Sequence, residues 1–560
     1  MIGLISATSA GAAARDRLAV AWPDRTRVYD GAVGDALRAA FAECEQVVCF
    51  LATGATVRIL APLLSDKGAD PGVVCVDEGG RFAVSLLGGH GGGANELAVE
   101  VGELLGAQPV VTTATDSVGV AGLDLLGVPV EGDVAAVSRA LLDGEPVMLV
   151  AEVPWPLPPV PFAADGSYQV RLTDRAVRPA SREVLLRPPS LVVGVGASRG
   201  APADEVLSVI EDALRDAGLS ARSVARLATV DAKSEEPGIL EAAARLGVPV
   251  VTYSAGELAG VEVPNPSHAP LAAVGTPSVA EAAALAGGGE LLVPKRKSAG
   301  SPAMATCAVV RRPPRGRLAV VGLGPGARDL LTPRAKAELR RASVLVGLDQ
   351  YVDQVRDLLR PGTVVLESGL GAEEERARTA VAEARKGRAV ALIGSGDAGV
   401  YAMASPALAE ASDDIDVIGV PGVTAALAAG AILGAPLGHD HVSISLSDLH
   451  TPWEVIERRV RAAAEADLVV TFYNPRSRGR DWQLPKALAL LSEHRSASTP
   501  VGVVRNASRA DESSRVSTLG ELDPATVDMM TVVTVGNTAT RIIAGRMVTP
   551  RGYRWQEEAR

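Results

Sequence analysis

Aromatic side chains are scarce in this chain: five Phe, five Trp and seven Tyr among 560 residues, 3% of a sequence that is 47% hydrophobic. Ala, Val, Leu and Gly therefore fill its cores, a composition that suits Ala-rich helices packed on Val-rich parallel strands. Cysteine is scarcer still. Cys44, Cys49, Cys75 and Cys307 show neither CxxC spacing nor a companion His cluster, so they read as buried free thiols ahead of any metal or disulfide role. An excess of positive charge is also missing: 55 Lys and Arg face 66 Asp and Glu, a net charge of −11. That leaves no global basic field for nucleic acid. No run of about eighteen uninterrupted apolar residues occurs, and MIGLISAT reads as a strand without a basic region or long apolar core ahead of it. The expectation is a cytoplasmic protein with no membrane span. No internal repeat or low-complexity tract stands out.

A chain of this length exceeds what one hydrophobic core holds, so several domains are expected. Residues 1–130 alternate strand-like runs (QVVCFLA, GVVCVDE, FAVSLLG) with helical ones (NELAVEVGELLG), as an α/β series does. Residues 131–189 include a stretch too dense in Pro for helix interiors and read as a small irregular module. A second α/β unit spans 190–297, starting at SLVVGVGASRG. The basic, Pro-bearing stretch 298–316 reads as a linker, although its apolar TCAVVR can pair as a terminal strand of the preceding unit. A last α/β unit covers 317–555.

What the sequence does have is glycine at strand ends. LAVVG runs straight into Gly324-Pro325-Gly326, and AVALI runs into Gly394-Ser395-Gly396-Asp397. Such turns let backbone approach a ligand closely and offer free N–H groups to it. Two of them on neighbouring strands form the lips of one small-molecule cleft, which points to an enzyme. A nicotinamide cofactor is disfavoured: Pro325 removes one backbone donor, and no acidic residue ends a second strand at the spacing a ribose hydroxyl needs.

The segments VVGLGPG, IGSGDAGVY, IGVPGVTAALAAGAILGAPL, TFYNPRS and VTVGNTAT follow one another as in the tetrapyrrole methyltransferases, which this part of the chain resembles. SLSDLHTPWEVIERR (445–459) is similar to the precorrin-3B C(17)-methyltransferase branch, which contracts the ring in cobalamin synthesis. The resemblance implies two α/β lobes, S-adenosylmethionine as methyl donor in the cleft between them, a corrinoid precursor as substrate, and a homodimer. Around the cofactor it sets Gly324, Pro325, Gly326, Gly394, Asp397, Val400, Thr424 and Ala425, with Asn474, Gly536 and Thr538 on the far side. Asp397 and Thr424 also suit helix capping. Methyl transfer needs positioning more than side-chain chemistry, but ring contraction needs a proton acceptor, for which Asp448 and His450 are candidates. Trp453 suits packing as well as substrate contact. Arg476, Arg478 and Arg480 suit the substrate's carboxylate arms. His439 and His441 flank an aspartate, yet rim residues are favoured over a metal site, and no metal is expected.

The front half has its own likeness. Residues 51–98 with VTTATD (111–116), and 190–297, resemble the two ends of cobalt-precorrin-5A hydrolase, which opens a lactone and releases acetaldehyde. His90, inside the run Gly88 to Gly93, is the candidate acid or base, and exposed glycine amides there can face an oxyanion. Thr53, Arg58, Asn95 and Asp116 are candidates for substrate binding, while Gly194, Gly196, Ser198 and Gly200 suggest another lip. A non-catalytic corrinoid carrier remains the alternative for this half, and a different macrocycle for the methyltransferase.

Overall fold

The computed structural model describes residues 1–65, 70–89, 91–113, 119–267, 275–477 and 479–552. The chain forms two units, Met1–Pro314 with Arg360–Gly362, and Arg315–Leu359 with Thr363–Arg560.

The first unit holds three sheets. β1 (Ile2–Ser6), β2 (Thr26–Val28), β3 (Gln46–Phe50), β4 (Gly72–Val76), β5 (Phe82–Leu87) and β6 (Gln108–Val110) form a six-stranded sheet in the order β2-β1-β3-β4-β5-β6, parallel except where β5 meets β4. QVVCF and GVVCV are almost wholly buried because helices cover both faces of the sheet. The four cysteines are buried free thiols, as expected.

β7 (Val130–Gly132), β8 (Val147–Ala151), β9 (Tyr168–Leu172) and β10 (Glu183–Leu186) form a second sheet in the order β7-β10-β9-β8. The Pro-dense region is thus more than an irregular strap: it contributes to a core of its own, built from Val137, Leu141, Val147, Val170, Leu172, Val184 and Leu186. Its prolines lie in the connections, and its alternating apolar residues make the strands.

β11 (Leu191–Ala197), β12 (Val224–Val230), β13 (Val250–Tyr253), β14 (Glu290–Lys297) and β15 (Ala305–Arg311) complete the unit in the order β13-β12-β11-β15-β14. The linker reading of 298–316 fails at 305–311. β15 is an interior strand, paired antiparallel with β11 on one side and β14 on the other. The basic KRK closes β14, an edge strand, where charge can point to solvent.

The second unit has two lobes. β16 (Arg317–Gly322), β17 (Val344–Leu348), β18 (Val364–Ser368), β19 (Ala389–Gly394) and β20 (Asp416–Val420) form an all-parallel sheet, β18-β17-β19-β16-β20. After β21 (Gly434–Ala435), the other lobe is built from β22 (His441–Ser445), β23 (Val469–Tyr473), β24 (Pro500–Arg505), β25 (Ser513–Thr518) and β26 (Thr531–Val535), ordered β22-β23-β26-β24-β25. β22 and β23 are parallel, but β26 runs against both β23 and β24. β27 (Arg541–Ile543) and β28 (Arg546–Val548) form a small sheet with β21. The multi-domain α/β architecture expected from the sequence is the one observed. Among the described residues, no helix is long and apolar enough to cross a membrane.

Candidate active site

β16 lies between β19 and β20, so three strands end side by side at their carboxyl edge. Each runs into glycine. Gly324 and Gly396 exchange backbone hydrogen bonds, N to O, of 3.0 and 2.8 Å, in left-handed conformations with φ of 76° and 67°. Their amides therefore bond to each other and clamp the two turns together, instead of standing free for a ligand as the sequence suggested. The third turn closes on the same point: a Cβ added at Gly422 would lie 2.2 Å from the Gly396 oxygen, and one at Gly322 would lie 2.7 Å from it. Only glycine lets these backbones cross. Gly394 differs, because a Cβ there would meet nothing closer than Ala402, at 3.7 Å.

The far lobe closes on this crossing through side chains. The Tyr473 hydroxyl, at the end of β23, lies 2.5 Å from the Thr424 hydroxyl and accepts the Ala426 N–H at 2.9 Å. It thereby caps the helix Ala425–Leu433, whose own N-cap residue Thr424 makes no side-chain cap bond. Tyr401 donates to the Ser443 carbonyl at 2.8 Å and packs against Tyr473 with ring centroids 5.2 Å apart. Arg509 donates to the Pro325 carbonyl at 3.0 Å, and its stem covers Gly326, where an added Cβ would lie 2.7 Å from Arg509 Cγ. Beside Arg509 and Ser395 sits Tyr351, whose phenol is raised above its ordinary pKa by burial. A cavity of about 380 Å³ opens along Gly399, Val400, Tyr401, Ala402, Ser405 and Ser443.

Asp397 is fully engaged with backbone. One oxygen accepts the Gly399 N–H at 2.8 Å and the other the Gly422 N–H at 3.0 Å, so it ties its own turn to the one after β20. Asn474, at φ 50°, donates to Ser445 at 3.1 Å across the ends of β22 and β23. Asp448 follows on the exposed loop after β22 and accepts from Gln483 at 3.0 Å. His450 is exposed two residues on. Trp453 packs edge-on against Trp482, with centroids 4.8 Å apart.

Three other expectations meet a different arrangement. Gly536 and Thr538 follow β26, and β26 is antiparallel to β23 with Val535 opposite Val470. They therefore lie at the other edge of the sheet from Tyr473, about 13 Å away along the strand. There Thr538 bonds Asp467, and the Gly536 carbonyl accepts from Arg495. Arg476 turns to the Ala525 carbonyl at 2.7 Å; Arg478 lies outside the described residues. Among the described residues no cluster of His, Cys, Asp and Glu could hold a metal; His439 accepts from the neighbouring Asp440 N–H.

In the first unit, His90 and Asp116 lie outside the described residues. Gly92 and Gly93 rest at the amino ends of β3 and β4, where Gln46 donates to their carbonyls at 3.1 and 3.2 Å. Asn95, only 6% exposed, accepts from Ser85 at 2.7 Å and donates to Thr113 at 2.9 Å. Thr53 and Arg58 belong to the helix after β3, at the opposite end of that strand, where Arg58 folds back onto the Gly54 carbonyl. Asn95 and Thr53 thus do not share a site. Gly194 and Gly196 do not form an open lip, because added Cβ atoms would lie 1.9 Å from the Ala280 carbonyl and 2.8 Å from the Thr306 hydroxyl.

Residues 317–523 match the model of the Tetrapyrrole (Corrin/Porphyrin) Methylases. A Salmonella typhimurium protein named "Probable cobalt-factor III C(17)-methyltransferase" is 47% identical over 239 residues, 42% of this chain and 99% of its own length. The chain belongs to the tetrapyrrole methylases. A precorrin-3B C(17)-methyltransferase of Sinorhizobium sp is 42% identical over 250 residues, covering 42% of this chain and 97% of that protein. The crystal structure of the methyltransferase CobJ is 38% identical with a TM-score of 0.40, spanning 42% of this chain and all of that one. Ahead of the methylase, residues 35–116 and 191–310 match Cobalamin synthesis G N-terminal and Cobalamin synthesis G C-terminus. The chain is a fusion, and it is a methyltransferase of cobalamin biosynthesis.

Within this tetrapyrrole methylase, sequence reasoning passed over Tyr473, Arg509 and the packing role of Gly422. A polar aromatic ending a strand next to Asn-Pro was the available signal for Tyr473. Nothing local marked Arg509, whose partner Pro325 is 184 residues away.

Proposed function

We propose that the methylase half transfers a methyl group from S-adenosylmethionine to C17 of precorrin-3B or its cobalt form and contracts the macrocycle, and that the front half opens the lactone of cobalt-precorrin-5A with release of acetaldehyde. The three-turn glycine crossing joined to Tyr473 carries the first part. It fits the cofactor: Gly394 is bare backbone that no neighbour fills, and Val400 lines the adjoining cavity. Gly324 to Gly326, Gly394, Thr424 and Ala425 would hold it, with Asp397 keeping two of the turns in register. S-adenosylmethionine brings an already activated methyl group, so this half needs to position the acceptor carbon and exclude water. Asp448, with one oxygen fixed by Gln483, takes the proton of the hydroxyl at the contracting carbon, and His450 sits at the rim.

In the front half the Ser85–Asn95–Thr113 network lies against Gly89, next in sequence to His90, the proposed acid or base. Thr53 and Arg58 lie at the opposite end of β3 from that network. The same reading makes the enzyme cytoplasmic and homodimeric through its methylase half. One experiment separates the two activities. The full chain is given the ring-contracted, lactone-bearing cobalt precursor without S-adenosylmethionine, and precorrin-3B with it. Acetaldehyde in the first reaction and a contracted, methylated product in the second are expected. No acetaldehyde alongside normal methylation would make the front half a corrinoid carrier.

A further inference from the structure

We infer that the cavity beside Tyr401 seats one carboxylate arm of the macrocycle, held there by the hydroxyls of Ser405 and Ser443. The inference rests on the proposed substrate and gives one of its acid groups a place. Tyr401 has a backbone that a bulky residue rarely adopts: its φ is 52°, in the left-handed region. Burial does not account for that conformation, since the residue is 54% exposed. Backbone strain of this kind persists only where surrounding contacts impose it, and it clusters at ligand sites. Here the contacts come from the far lobe: the phenol donates to the Ser443 carbonyl at 2.8 Å, and the ring packs against Tyr473. The ring is thereby fixed as one wall of the cavity of about 380 Å³, with Val400 and Ala402 beside it and Gly399 as bare backbone.

The lining is divided as an acid arm requires. Val400, Ala402 and the Tyr401 ring are apolar and suit the methylene groups of the arm. The polar part is two hydroxyls, and among the described residues neither Ser405 Oγ nor Ser443 Oγ is hydrogen-bonded to another group. A carboxylate only accepts, so both hydroxyls can turn their protons to it, and such charge-assisted bonds are the stronger kind. A nearby cation favours an anion over a neutral acceptor. Burial raises the Tyr401 phenol above its ordinary pKa while the Arg459 charge lowers it, so that guanidinium lies within electrostatic reach of the cavity wall. Arg459 is exposed on the helix Trp453–Glu465, which packs on β22, and among the described residues it makes no ion pair or hydrogen bond. Asp397, two residues before Gly399, has its own charge met by the Gly399 and Gly422 N–H groups. S-adenosylmethionine also carries a carboxylate, and the test separates the two sources.

The full chain is titrated anaerobically with precorrin-3B, without S-adenosylmethionine, and binding is followed by quenching of its tryptophan fluorescence. S-adenosylmethionine is titrated separately by calorimetry. Ser405→Ala combined with Ser443→Ala should raise the Kd for precorrin-3B at least about tenfold, because two hydrogen bonds to a charged group are lost. The Kd for S-adenosylmethionine should stay within about twofold. Arg459→Leu should raise the first Kd about threefold or more, less at high salt, and Arg459→Lys, which keeps the charge, should bring it back to within about twofold. Circular dichroism checks that each variant folds. An unchanged Kd for precorrin-3B in the folded double variant overturns the inference. So does a Kd for S-adenosylmethionine that rises as much or more, which would give the cavity to the cofactor's carboxylate. Failure of the underlying reading shows in the wild-type chain instead: supplied with both compounds, it would bind precorrin-3B without methylating it.

Discussion

In the methylase sheet the glycine turns after β16, β19 and β20 stand at the carboxyl ends of parallel strands, where three backbones cross and a cavity opens beside them. In the front sheet the run Gly88 to Gly93 stands at the amino ends of β3 and β4. It is held from below by Gln46, and Gly88 and Gly92 pack against the Gly72 backbone. A third set, Gly194 and Gly196, lies under a helix. Glycine-rich sequence thus marks close backbone approach in all three regions, but the approaching partner differs. Strand direction and neighbouring elements decide whether that partner is another turn, another strand or a helix.

The strongest way to break this comparison is to add one methyl group in each region. Gly422→Ala drives a Cβ to 2.2 Å from the Gly396 oxygen, and overpacking of that kind costs about 3 kcal/mol. S-adenosylmethionine affinity, measured by calorimetry, should fall at least about 100-fold, whereas Gly419→Ala, on β20 where an added Cβ meets nothing within 4 Å, should stay within about threefold. Equal losses would mean that the crossing does not shape the site. Gly92→Ala places a Cβ 2.4 Å from the Gly72 nitrogen and should destabilise the front sheet by about 2 kcal/mol, read as a lower melting temperature. Methyl transfer should be unchanged in that variant. Lost methylation would contradict the independence of the two sheets' glycines.

Much of this division was legible in the sequence. Val-rich runs ending in glycine located β16 and β19, and the Pro325 turn argued against a dinucleotide site. Gly536 and Thr538 were misplaced for a physical reason: VTVGNT reads as another strand–glycine turn, but local sequence does not encode that β26 runs antiparallel to β23. The strand Ala305–Arg311 was legible from its apolar TCAVVR, but as a terminal strand; that it is interior, between β11 and β14, the basic and proline residues around it obscured. Arg476 looked like an anion contact because its partners, two backbone carbonyls nearly fifty residues on, leave no trace near it. Asn95 and Thr53 looked like companions because both open helices after strands of one sheet, yet those helices start at opposite sheet edges.

A finer cut concerns what joins the two lobes. Tyr473→Phe removes the hydroxyl that accepts from Ala426 and pairs with Thr424, leaving a helix N-terminus without its cap. A loss of about 1–1.5 kcal/mol, roughly tenfold in the Kd for S-adenosylmethionine, is expected, with the fold intact by circular dichroism. Thr424→Ala alone should cost less, since the Ala426 N–H keeps its acceptor. If Thr424→Ala proves the worse of the two, the threonine touches the cofactor itself.

The smallest effect expected distinguishes the front unit by its response to acid. Asp174 is 1% exposed and lies 2.7 Å from Arg311 of β15, with Ser190 donating to it at 2.9 Å. Burial pushes its carboxyl pKa up, but Arg311 and Ser190 together outweigh that and hold it below the ordinary value. A depressed carboxylate stabilises the fold above its unfolded pKa of about 3.9, and that contribution disappears as pH falls through the folded value. The melting temperature of the front unit should therefore drop by a few degrees as pH is lowered through this range. Asp174→Asn should melt lower at neutral pH, because it leaves Arg311 without its buried partner, and should show a flatter dependence below pH 4. An equally steep acid dependence in that variant would assign the acid sensitivity to other carboxylates and leave the pairing of β15 with the preceding loop as packing alone.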